Sequence, residues 1–261
     1  MDLRSPDTAK NEVVDFTLFL ADSSLIMGHR LSEWTGHGPM LEQDIALTNL
    51  ALDLIGQSRN FYQYAAELIS GLRGQEIKED DLAYLRDARE FANLLLTELP
   101  NGDWAKTICK VFFFSSWQFY FYRELRRSPD TRLASIAEKS LKEVTYHVKW
   151  SGDWVIRLGD GTEESHKRMV KAIEDLWPYT GEMFVPAEYE LNLLNSVSID
   201  VSSVKNDWLQ KVTSVFRKAT LGVVEDAWMQ SGGKLGLHTE HLGYLLAEMQ
   251  CMQRAYPGLE W

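Results

Sequence analysis

The sequence predicts an all-α protein of long helices suited to a four-helix bundle with additional flanking helices. Two observations carry this reading. Two long segments, around residues 40–70 and 130–158, hold apolar residues at alternating steps of four and three, the repeat of a single helix face. Glycine- and proline-bearing breaks then divide the rest of the chain into helix-length pieces, and none of these pieces calls for a strand.

The first predicted helix runs from about Asn11 to Trp34, with Val14, Leu18, Ala21 and Leu25 at steps of four, three and four. Gly36, Gly38 and Pro39 separate it from a second helix spanning Met40 to about Ser70. The row Leu41, Ile45, Thr48, Leu52, Ile55, Arg59 and Tyr62 reads as the packed seam of that helix. Gly71 and Gly74 end it, and Asp80 or Asp81 can cap a third helix that closes near Glu98. A turn at Pro100–Asp103 precedes a fourth helix from Trp104 to Arg127.

Ser128-Pro129-Asp130 restarts the chain into a fifth helix with the row Ala137, Leu141, Val144, Val148, Ser151, Val155 and Leu158. Gly159 and Gly161 stop it, and a sixth helix runs from Thr162 to about Pro178. Residues Glu182 to Ser203 read as a long connection. Two further helices, Asp207 to about Gln230 and Thr239 to about Tyr256, are joined by Ser231-Gly232-Gly233-Lys234. There is no internal repeat and no low-complexity segment, so residues 1–261 are expected to form one domain.

Hydrophobic residues make up 45% of the 261-residue chain, and nine Trp, ten Tyr and eleven Phe supply bulk for a thick core or a large interface. The net charge of −11 repels phosphate backbones and anionic lipid, so neither nucleic acid nor a membrane surface is an expected partner. Cys109 and Cys251 form no CxxC pair. They are expected to be buried thiols in a cytoplasmic protein. The amino-terminal string Met1–Asp7 lacks a signal-peptide core, and no apolar run approaches the roughly 20 residues that span a bilayer.

A long-helix bundle raises the question of a di-iron carboxylate centre, which takes Glu-x-x-His from each of two helices because residues three apart share a face. The only such spacing is Glu163-Glu164-Ser165-His166. It lies at a helix start, where Thr162 caps and the acids favour the macrodipole. In mid-helix, Glu143 has Tyr146 where histidine would stand, with His147 one residue on, and Asp53 has Gly56 at the corresponding place. Asp53, Glu143, Tyr146 and His147 therefore read as a vestigial site turned into a buried polar network. The competing reading is an active di-iron oxygenase with an irregular ligand set from Glu143, His147, Asp53 and Asp22. No dinucleotide-binding glycine loop, Walker loop or nucleophile elbow is present.

Three blocks carry a resemblance. They are Arg30-Leu31-Ser32-Glu33-Trp34-Thr35-Gly36-His37-Gly38-Pro39 running on to Arg59-Asn60, then Asn93-Leu94-Leu95-Leu96 with Pro100-Asn101-Gly102-Asp103-Trp104, then Gly232-Gly233-Lys234 with Gly236-Leu237-His238-Thr239-Glu240-His241-Leu242-Gly243, closing at Pro257-Gly258 and Trp261. Over nearly the whole chain these resemble the ferritin-like PaaA/PaaC family of phenylacetate catabolism, on its PaaC-type side.

The resemblance implies a non-catalytic structural subunit of a 1,2-phenylacetyl-CoA epoxidase. Its partners would be a PaaA-type catalytic subunit with the di-iron centre, a PaaB-type small subunit and a PaaE-type reductase drawing on NADPH through flavin and iron–sulfur groups. The chain itself would carry no cofactor, and homodimerisation in isolation stays open. Arg30, Trp34, His37, His238, Glu240 and His241, in blocks with no catalytic rationale, are the interface candidates.

Overall fold

A computed structural model describes residues 8–194, 197, 199–224 and 227–259. The Met1–Asp7 string and Trp261 lie outside the described residues, as do 195, 196 and 198 of the predicted connection and 225–226 of the predicted seventh helix. The described residues are all-α, with no strand among them, in agreement with the ferritin-like class. None of their helices is long and apolar enough to cross a membrane.

The chain forms two compact units. One comprises Met1–Pro100, Ala187–Val197 and Gly232–Trp261. It contains α1 (Thr8–Ser32), α2 (Leu41–Arg73), α3 (Glu79–Tyr84) and α4 (Leu95–Glu98). In the other, Asn101–Pro186 and Ser198–Ser231, lie α5 (Trp104–Leu125), α6 (Thr131–Gly159) and α7 (Glu163–Leu176). The first unit regains the chain at α8 (Glu188–Asn192), the second holds α9 (Lys205–Lys218), and the first ends with α10 (Glu240–Met249) and α11 (Cys251–Ala255).

In the first unit α1 packs along α2, burying Phe16, Phe19, Met27 and Leu31 against a core that takes Leu47, Leu50, Leu54 and Phe61 from α2. That is the face of α2 opposite the predicted seam. Leu41, Ile45, Leu52 and Arg59 are exposed, Thr48 and Ile55 are half-buried, and only Tyr62 of the row is buried. The reason is local to the sequence of α2, which is apolar on two faces while α1 covers one.

The predicted third helix is broken. After α3 the chain makes a 3-10 turn at Ala88–Glu90 and runs extended until α4. Side chains of distant residues satisfy the backbone there in place of helical bonds. Ala92 N donates to Asp22 Oδ2 (2.8 Å), Leu94 N donates to Ser23 Oγ (3.2 Å), and Arg86 donates to the carbonyls of Leu82 and Glu90. The buried backbone is thus paired without the helix.

In the second unit α5 is buried nearly all round, with Phe112, Phe113, Phe114, Trp117, Phe121 and Tyr122 in the interior. Asp103 caps it by accepting from Lys106 N, and Asp130 caps α6 by accepting from Arg132 N and Leu133 N. On α6 the predicted row is turned inward. Ala137, Val144, Val148, Ser151 and Val155 are buried, and Leu141 and Leu158 half-buried. Thr162 caps α7 as expected, its Oγ1 accepting from Ser165 N at 3.2 Å.

The helix predicted from Asp207 to Gln230 ends at Lys218. Thr220 takes a left-handed conformation (φ 56°), and Leu221 N reaches back to the Phe216 carbonyl at 2.9 Å, the 6→1 bond of a Schellman ending. The described residues from there to Gln230 are not helical. The connection predicted from Glu182 to Ser203 is interrupted by α8, where Glu190 accepts from Ala187 N at 2.7 Å.

Candidate functional site

Three buried carboxylates organise the first unit, and each holds a cation or an imidazole of the same unit. Asp22 on α1 is fully buried. Its Oδ1 accepts from Tyr62 Oη on α2 (2.5 Å) and from Arg86 Nη2, while Arg86 Nη1 donates to Oδ2 at 3.1 Å. The Arg86 guanidinium stacks 4.3 Å from the Phe91 ring centroid.

Burial, and then the Asp22 charge, push the Tyr62 phenol well above its ordinary value, so it stays a donor. Burial alone would weaken the charge on Arg86. Asp22 and Tyr62 outweigh it and hold the guanidinium above its ordinary pKa. An ion pair of this kind is costly to break from one side, by about 3–5 kcal/mol.

Glu98, at the end of α4, is the second centre. Its Oε1 accepts from Thr239 N (2.5 Å), and its Oε2 contacts Asn93 Nδ2 (2.9 Å) and His238 Nδ1 (2.9 Å). His238 Nε2 lies 2.9 Å from the Phe91 carbonyl. A carbonyl only accepts and an ionised carboxylate only accepts, so this geometry suits the doubly protonated imidazolium. Burial alone would depress His238, but the hydrogen bond and charge of Glu98, with the Phe91 carbonyl, raise its pKa above the ordinary value.

Arg30 closes the same knot. It donates to the Glu98 carbonyl (2.9 Å), to Glu33 Oε1 (2.6 Å) and to the His241 carbonyl (3.3 Å). The third pair is Lys234 with Glu190, 2.8 Å apart and both buried, the ammonium also lying 4.8 Å from the Phe19 ring centroid. The turn that presents Lys234 requires glycine at 236, where φ is +75° and a Cβ would collide with the Arg89 carbonyl.

The interface candidates therefore divide. The side chains of Arg30 and His238 are spent inside the unit. Trp34 and His241 are half-buried, and His37 and Glu240 are exposed. Asp53 and Glu143 are half-buried, His147 is buried on α6, and Tyr146 is half exposed, where the vestigial-site reading expected interior. Asp22 and Asp53 belong to the first unit, Glu143, Tyr146 and His147 to the second.

Among the described residues no three His, Cys, Asp or Glu side chains gather as around a metal ion. The donor set of the competing di-iron reading does not fit a metal at Asp22, whose two oxygens already face the Arg86 cation. The expectation of two buried thiols is corrected. Cys109 is buried, its thiol pushed far above the ordinary range by that burial, whereas Cys251 is exposed.

Sequence reasoning missed Tyr62, Arg86, Glu98, Glu190 and Lys234 as a network. Their partners lie 24 to 140 residues apart, so no spacing rule could pair them. The usable signal was compositional, acids and bases within otherwise apolar segments.

Long paired helices and buried charges used to tie distant segments together define an all-α protein of the ferritin-like class. The chain belongs to the family of phenylacetic acid catabolic proteins, whose family model matches residues 1–261. It is similar to the C subunit of 1,2-phenylacetyl-CoA epoxidase from Escherichia coli (strain K12), with 44% identity over 252 residues, 96% of this chain and 100% of that protein.

Proposed function

We propose that the chain is the non-catalytic structural subunit of a multicomponent 1,2-phenylacetyl-CoA epoxidase, stabilising the PaaA-type catalytic subunit for ring epoxidation in aerobic phenylacetate catabolism. The observation that carries this is the match along the whole length of an epoxidase's C subunit. The side-chain chemistry supports it, because Asp22, Glu98 and Glu190 are each engaged by Arg86, His238 or Lys234.

In this reading the chain is cytoplasmic and carries no cofactor. The di-iron centre that activates oxygen resides in the catalytic partner, and a PaaE-type reductase with flavin and iron–sulfur groups delivers electrons from NADPH. The assembly also includes a small PaaB-type subunit. This chain's part is to hold a rigid helical surface, which its buried ion pairs serve.

The test is reconstitution with metal analysis. The purified chain is expected to contain no stoichiometric iron, and omitting it from the complex is expected to cost soluble, active catalytic subunit. Near-stoichiometric iron in the isolated chain, lost in Glu143→Ala, would establish the competing di-iron reading instead.

A further inference from the structure

The apolar side chains on the outer face of α2 are left largely uncovered by the described residues. At 100° per residue, Leu41, Ile45, Thr48, Leu52, Gly56 and Arg59 fall within an arc of about 80°. Leu41 is 71% exposed, Ile45 50% and Leu52 61%, and Met40 just before the helix is 51% exposed. Steps of three and four along this row keep it on one helix face, as in a helix–helix seam, and contiguous apolar strips of roughly 300–600 Å² on a monomer's surface commonly mark contacts.

Gly56 adds an independent observation. It sits in the interior of a 33-residue helix, and beyond the backbone of its own helix turns no atom of the described residues lies within 4 Å of where its Cβ would be. Glycine in a helix interior lowers stability relative to alanine, and here no neighbour among the described residues exploits the missing side chain. A second helix crossing closely at that point would.

At its carboxyl-terminal end the row borders a cleft of about 220 Å³ lined by Ile55, Ser58, Arg59, Glu79, Asp80 and Tyr84, among others. Arg59 pairs with Glu79 at 2.8 Å, so Asp80 is the acid in excess. The Ser58 hydroxyl is fully buried and has no hydrogen-bond partner among the described residues. An aliphatic stem along Ile55 ending in a cation near Asp80 fits this chemistry. A second copy of the chain fits poorly, since it would bring the same acidic cleft and another net charge of −11.

Resting on the functional reading above, we infer that the outer face of α2 docks an apolar helix of the catalytic subunit, crossing at Gly56 and placing one Lys or Arg side chain in the cleft at Asp80. The surface continues from the Arg30–Pro39 block, whose His37 is exposed, so the block acts by presenting the start of α2.

The test titrates the full chain and its variants against the purified catalytic subunit, with circular dichroism and melting of each variant alone. Leu52→Glu is expected to keep helicity and Tm and to weaken binding by about 100-fold or more, as for a hot-spot apolar contact. Gly56→Ala is expected to raise the Tm of the isolated chain while weakening binding by about tenfold, opposite signs that no internal packing role produces. Asp80→Lys is expected to weaken binding and flatten its salt dependence.

If the unaltered chain binds and all three variants bind equally well, the docking surface is overturned while the functional reading stands. If the unaltered chain does not bind the catalytic subunit, both fall. If sedimentation shows a homodimer that Leu52→Glu dissociates without touching catalytic-subunit binding, a second copy covers the face and the proposed occupant is wrong.

Discussion

The two long helices α2 and α6 carry the same kind of apolar row and use it in opposite ways. On α6 the row is buried, and the other face is a run of exposed polar residues that includes Lys139, Lys142, Lys149 and Asp153. On α2 the row faces outward, because Leu47, Leu50, Leu54 and Phe61 give that helix a second apolar face, and α1 takes that one.

The units around these helices differ in the same spirit. Unit one is laced by ion pairs at Asp22, Glu98 and Glu190. In unit two the interior is aromatic, with Phe113 within 5.8–6.0 Å of Trp177, Trp208 and Phe216 by ring centroids. A periodic row therefore reports helix geometry, and cover decides whether it is core or contact surface.

The largest effects should come from the interiors. Arg86→Ala leaves Asp22 buried without its cation and is expected to destabilise the first unit by about 3–5 kcal/mol, measured by denaturant unfolding. Val155→Glu, on the buried row of α6, is expected to cost at least as much as a typical severe core change, roughly 4 kcal/mol or more. A mild effect there would break the contrast with α2.

Glycine offers a sharper comparison. In Gly159→Ala at the end of α6 the new Cβ would stand 2.5 Å from the Ala219 carbonyl, so a loss of about 1–3 kcal/mol is expected. Gly56→Ala on α2 meets open space, and a gain of about 0.5–1 kcal/mol is expected. Thermal melts of the two variants should move in opposite directions.

Alkaline pH should separate the units more gently. The folded-state pKa of His238 lies above its ordinary 6.5, so its contribution is complete below that value and is lost as pH rises through the higher folded one. Hydrogen exchange above neutral pH is expected to speed first at residues 91–98 and 238–241, with α5 and α6 unaffected. The smallest change is Leu52→Glu, expected within ±0.5 kcal/mol for the isolated chain. A severe loss would show that the outer row of α2 is covered after all.

Much of the helical map was legible from residues alone. Thr162 caps α7 where the sequence places a cap, and Asp103 and Asp130 cap α5 and α6 at the turns the sequence reads as breaks, since a cap is a contact over two or three residues. The cap expected from Asp80 or Asp81 is corrected, because both lie inside α3, which begins after Lys78. The family was legible for the same reason, in strings such as Gly236–Gly243 that need no tertiary knowledge to match. The broken segment after α3 was not legible, because the groups that replace its helical bonds, Asp22 and Ser23, lie about 70 residues away in sequence.

Nor was the ending of α9, set by a left-handed Thr220 that propensity disfavours. The interior place of Arg30 and His238 likewise depended on Glu98 meeting both. The sequence by itself determined that α2 is a long helix with apolar residues on two faces. Only the tertiary structure decided which face is buried, because burial is a property of a pair of surfaces and α1 supplies one surface for the two that α2 presents.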